Sequence, residues 1–166
     1  MTKLEYEARV EFLSRYVSER HKLRSADLRL EELELDYGPG ARPMGGTSGG
    51  KKSDGSDRIL RRMADRERFE REARRHRDDA LRAMAVIETA ISGVAAKQQS
   101  VLRYRYLNDM DIGAIAEATN YSYRQVQRIH QQGIERVRLP RYTLDKIKRE
   151  LAQENPEWAL IEMKAL

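Results

Sequence analysis

The segment from Lys97 to Val137, KQQSVLRYRYLNDMDIGAIAEATNYSYRQVQRIHQQGIERV, leaves little freedom in how it can fold. Two short amphipathic stretches are separated by Asn120-Tyr121, a break that accommodates only a tight turn. Asp111 is placed to cap the first stretch, with Ile112, Ile115 and Ala116 toward a core. Ser122 is placed to cap the second, because a hydroxyl there accepts a hydrogen bond from a free N–H of the first turn. Val126, Ile129 and Gly133 then recur at steps of three and four, which predicts the buried stripe of a helix. The other side of that helix carries Tyr123, Arg124, Gln127, Arg128 and Gln131. Arginine and glutamine can each hold a base edge through two hydrogen bonds in the major groove. A helix-turn-helix that docks on double-stranded DNA needs this division between a packing face and a reading face.

The same residues carry a family resemblance. The run from Val101 to Val137 resembles region four of bacterial sigma factors, in which an LRYRYL-type helix precedes D-x-x-x-I-A and then S-x-x-x-V-x-R. The Tyr-Ser-Tyr-Arg-Gln-Val and Arg-Ile-His details are closer to the region-four-like regulators of Gram-positive phages and prophages, the ArpU and RinA types of late-transcription activator. The resemblance covers residues 97–139 specifically and the N-terminal helices more loosely; it does not extend to the promoter-melting part of a sigma factor. It implies a regulator, with Tyr123, Arg124 and Gln127 as base readers just after the capping Ser122 and Arg128 at the groove wall. Sigma region four often has an Arg-Glu pair where this chain has Tyr123 and Arg124, a departure that argues against the usual −35 promoter sequence as target. Because sigma region four contacts the polymerase flap, the resemblance also implies RNA polymerase as a partner.

The whole composition agrees with an all-α fold. Charged residues make up 36% of the 166 positions and hydrophobic ones 40%, with few aromatics, which suits long solvated helices around thin cores. The net charge of +5 favours an acidic partner only mildly. Its distribution is more telling: Lys97 to Arg141 holds eight bases against four acids, so most of the excess lies on the segment expected to meet DNA. Arg105, Arg136 and Arg138 are the candidates for phosphate contacts, which set register and affinity while base contacts set preference. With no cysteine, disulfides and cysteine-based zinc sites are excluded. The first residues lack the apolar core of a signal peptide, and no run approaches the roughly 20 apolar residues of a membrane span. The expectation is a cytoplasmic protein of a bacterial host cell, with no membrane association.

Five sections follow from the pattern along the chain. Residues 1–37 form an N-terminal helical arm, helical over 3–35, in which Tyr6, Val10, Leu13 and Val17 make a seam; Ser25 is a possible restart, followed by Leu28, Leu30, Leu33 and Leu35. Residues 38–56 hold seven of the ten glycines and two of the four prolines, the composition of a flexible linker. Residues 57–95 form a long charged helix, polar in its first half and then seamed by Ala80, Met84, Ile87, Ile91 and Val94, with Gly93 as a break. Two such helices across a glycine-rich loop make an antiparallel hairpin with arms on the order of 45–60 Å long. Residues 96–140 are the helix-turn-helix, and 141–166 a C-terminal extension in which Thr143 and Asn155-Pro156 are helix starts. Trp158, Ile161 and Leu166 there call for an apolar surface, on this chain, in a homodimer or on polymerase.

Other motifs have plainer explanations. GGTSGGKKS approaches a phosphate-binding loop through Gly45, Gly50 and Lys51, but Lys52 stands where Ser or Thr is required, Ser53 comes one place late, and no strand precedes it. Asp57 to Arg82 holds ten arginines but also seven acids, as a solvated coiled-coil arm does. His21, His76 and His130 fall in three separate helical segments, no catalytic spacing appears, and His130 is expected to pack or lie beside phosphate. The expectation is therefore a non-enzymatic protein with no cofactor and no metal site. The leading function is sequence-specific transcription regulation; the alternatives are the DNA-recognition subunit of a phage packaging machine (a small terminase) and a helical adaptor that binds no DNA.

Overall fold

A computed structural model of the chain describes residues 1–35 and 55–158. Among the described residues all regular structure is helical, with no strand, and six helices follow in order: α1 (Lys3–Leu35), α2 (Gly55–Ser92), α3 (Ala96–Tyr106), α4 (Ile112–Thr119), α5 (Tyr123–Arg136) and α6 (Arg141–Glu154). A further helical turn begins at Pro156, where Trp158 N–H donates to the Asn155 carbonyl. The all-α expectation is met. The glycine-rich segment as far as Asp54, with its near-phosphate-loop, lies outside the described residues, as do Ile161 and Leu166.

The chain forms two compact units, one of residues Met1–Ser18 with Ala80–Leu166 and one of Glu19–Asp79, so α1 and α2 each contribute to both. In the larger unit, α1 starts with reciprocal capping. Thr2 Oγ1 accepts from Glu5 N–H, and Glu5 Oε2 accepts from Thr2 N–H. Its seam packs through Leu4, Ala8, Phe12 and Leu13, all buried, while Tyr6 and Val10 flank the cluster. Ile87 and Ile91 from the end of α2, Val94 from the corner after it, Leu102, Tyr106 and Leu107 from α3 and its C-cap, Ile134 and Val137 around the end of α5, and Ile147 from α6 complete this core. Gln99 closes the α2–α3 corner by donating to the carbonyls of Ser92 and Val94 at 3.1 and 2.8 Å. Helix α6 follows Pro140, whose fixed φ of −55° leads directly into Arg141. Thr143 therefore lies inside the first turn and is not the cap expected of it.

The smaller unit is thinner. Successive pairs run in opposite directions along its two helices: Glu19 with His76, Arg29 with Glu72, Glu34 with Arg66. That order is antiparallel, as expected. The packing residues differ from expectation. Leu28 and Leu35 are 50% and 78% exposed, and the buried positions are Ala26 and Ala73. Small side chains take the buried positions here, and these two leucines face outward. In the larger unit Ala80 is likewise buried, and Met84, expected in the seam, is 38% exposed. Ser25 does not restart α1; its hydroxyl donates to the His21 carbonyl one turn back and the helix runs on.

Candidate nucleic-acid interface

Helices α3, α4 and α5 pack around a small core of Val101, Ile115, Val126 and Ile129. Met110, Ile112, Ala116 and Tyr121 close its rim. Side-chain caps fix the starts of α4 and α5. Asp111 Oδ1 accepts from Ala114 N–H at 2.8 Å, and Ser122 Oγ accepts from Gln125 N–H at 3.3 Å. Between them Asn120 ends α4 with φ of 56°, a left-handed conformation that asparagine tolerates better than most residues. The turn at Asn120-Tyr121 and both caps lie where the sequence placed them.

The buried stripe of α5 is Val126, Ile129, Gly133 and Ile134. Tyr123, Arg124, Gln127, Arg128 and Gln131 are all exposed. Arg124, Gln127, Arg128 and Gln131 are spaced i, i+3, i+4, i+7, so they form one sector opposite the stripe. These four, with Ser122, Arg105, Tyr6 and His130, line one concavity. No carboxylate is among its lining residues, so the three arginines give it a positive field. Tyr123, 55% exposed, stands beside this concavity and not in its wall. Gln131 donates to Glu135 at 3.2 Å.

The three expected phosphate contacts divide between two places. Arg105 is half-buried, and its guanidinium donates to the Met110 carbonyl at 3.0 Å, bracing the α3–α4 loop while facing the concavity. Arg136 and Arg138 are exposed at the other end of α5, around a second concavity that also includes Arg9, Glu135 and Leu144.

Two long-range contacts support α5, and one of them gives His130 the packing role expected of it. Arg9 of α1 donates to the Glu135 carbonyl at 3.1 Å, near the C-terminal end of α5. His130, behind the exposed sector, stacks on Tyr106 with ring centroids 5.6 Å apart and its Nε2 3.1 Å from the phenol oxygen. Burial, and then the charge of Arg105, lower the His130 pKa to about 4, so the ring is neutral near pH 7. Burial pushes the Tyr106 phenol up, out of the titrating range. Neither feature has a local signal, since each joins residues distant in sequence. Among the described residues no helix is long and apolar enough to cross a membrane. No protein-family model matches the chain, and no curated protein or solved structure matches it.

Proposed function

We propose that this protein binds duplex DNA in a sequence-dependent way and regulates transcription, with α5 entering the major groove. The observation that carries this is the sector Arg124, Gln127, Arg128 and Gln131, exposed along one side of a helix whose opposite side is buried. Each of these side chains can pair with a base edge, and the serine-capped start of α5 suits approach to the backbone. The region-four resemblance extends the proposal to a late-gene activator of a Gram-positive phage or prophage, with RNA polymerase as partner.

Genomic DNA pulled down by the protein and sequenced identifies the site. Arg124→Ala and Gln127→Ala are then compared on that site and on random DNA. A lost bidentate base contact costs about 1–3 kcal/mol of discrimination, so the cognate complex should weaken about 5- to 150-fold relative to the random one. Equal weakening on both DNAs assigns these residues to phosphate and refutes base reading by α5. Enrichment at a packaging site favours the terminase function, and no enrichment removes sequence-dependent DNA binding.

A further inference from the structure

In the smaller unit α1 meets α2 at three donor side chains that the proposed DNA contacts leave unused. His76 and Asp79 are three residues apart on α2 and so share one face. Glu19 comes from α1, with its Oε2 2.7 Å from His76 Nδ1. One ligand-type atom from each of the three lies within 4.8 Å of the others. Their setting differs from that of the other ion pairs in the unit. The Glu19 and His76 side chains are 18% and 17% exposed, whereas Arg66 and Glu70 are 62% and 47% exposed. The Glu19 carboxylate is met by His76 and by Lys22, so it is held as a charged oxygen donor beside the imidazole. Lys22 supplies one charge, its Nζ 2.7 Å from Glu19 Oε1, but its side chain is 52% exposed and free to swing outward.

We propose that Glu19, His76 and Asp79 bind a divalent cation of the zinc, cobalt or nickel class, linking α1 to α2. One imidazole nitrogen with two carboxylate oxygens suits these ions, whereas magnesium and calcium favour all-oxygen sets. Metal–ligand bonds of about 2.0–2.2 Å put tetrahedral ligand atoms roughly 3.3 Å apart. The Glu19–His76 contact then opens slightly and the third ligand draws in, movements within reach of side-chain rotation. A water completes the fourth position. His76 Nδ1 becomes a ligand by giving up any hydrogen it carries, to solvent or by tautomeric shift to Nε2.

The site is independent of DNA binding and is tested without it. Untagged full-length protein, stripped with chelator, is titrated with zinc by calorimetry and with cobalt by absorption. The expected result is saturable binding at one ion per chain, ligand-field bands from cobalt, and a higher melting temperature with zinc. His76→Gln and Glu19→Gln keep hydrogen-bonding capacity, and circular dichroism of the metal-free variants checks that they fold. Both should abolish binding and the thermal shift, while His21→Gln and His130→Gln keep them. No saturable binding by the wild-type chain, or binding that survives His76→Gln, overturns the proposal.

Discussion

Gly133→Ala is the sharpest test of how α5 is held. On an open helix this change stabilises by about 0.8–1.0 kcal/mol, because alanine loses less backbone entropy than glycine. Gly133 faces α3, however, and a Cβ there would stand 3.1 Å from Leu102 Cδ1, 3.2 Å from its Cγ and 3.4 Å from Gln98 Cβ. Carbon atoms prefer about 3.5–4.0 Å, so Leu102 must retreat by a few tenths of an ångström. It has no exposed side to retreat to, being fully buried among Ile91, Ile134 and Val137. Overpacking of this kind costs about 1–3 kcal/mol. The two effects leave Gly133→Ala destabilising by up to about 2 kcal/mol. Leu102→Ala costs about 2–5 kcal/mol alone, but it removes the obstacle, so Gly133→Ala should become stabilising in that background. The four proteins are compared by urea unfolding followed by circular dichroism, with hydrogen exchange of the α5 amides locating the change. A coupling of about 1–3 kcal/mol is expected between the two positions. A higher unfolding midpoint for Gly133→Ala alone would show that the α3–α5 contact is loose and refute the reasoning.

Three further outcomes follow from single contacts. Asp111→Ala and Ser122→Ala each remove a helix cap, at about 0.5–2 kcal/mol in urea unfolding, with the larger loss at Asp111, whose contact is 2.8 Å against 3.3 Å; equal losses would mean that cap geometry does not set the cost. His130 has a folded pKa of about 4 against an ordinary 6.5, so between these values the unfolded chain binds more protons and stability falls as pH falls through that window. His130→Gln should flatten this slope in denaturant midpoints measured from pH 7 down to 4, and an unchanged slope would assign it to other groups. Ile147→Ala should lower stability by about 2–5 kcal/mol, because Ile147 is 1% exposed in the main core; an unchanged midpoint would mean that α6 does not dock there.

Local rules carried the sequence reading furthest where short-range chemistry decides the outcome. Asp111, Asn120 and Ser122 act within three or four residues of themselves, and the stripe Val126, Ile129, Gly133 repeats inside one helix. The capping pair Thr2 and Glu5 was equally local and was missed, although T-x-x-E stands at the start of the chain. Leu28, Leu35 and Met84 failed as core residues for a different reason. Periodicity locates a face but not which of its residues end up buried, and alanines take those positions here. The links Arg9 to Glu135, His130 to Tyr106 and Glu19 to His76 join positions 24 to 126 residues apart, and no window along the sequence contains them.

The two charged helices, α2 and α5, solve the problem of exposed arginine differently, and the difference bears on function. On α2 arginines stand beside acids: Arg66 pairs with Glu70 and Arg68 with Asp65, each at a helical neighbour position. Such pairs stabilise a solvated face by a few tenths of a kcal/mol. On α5, Arg124 and Arg128 are themselves four apart, and neither has a carboxylate three or four residues away along the helix. Like charges at that spacing destabilise by a similar few tenths. If solvation were the only role of this face, an acid at position 127 or 131 would relieve the repulsion, yet both positions hold glutamine. Glutamine adds no charge to neutralise the arginines and keeps a donor and an acceptor on each side chain. From Arg124 to Gln131 this face carries two arginines with no acid at neighbouring helical positions and two neutral amides, with Glu135 following one turn on, and it is this pattern that supports the DNA contact proposed above.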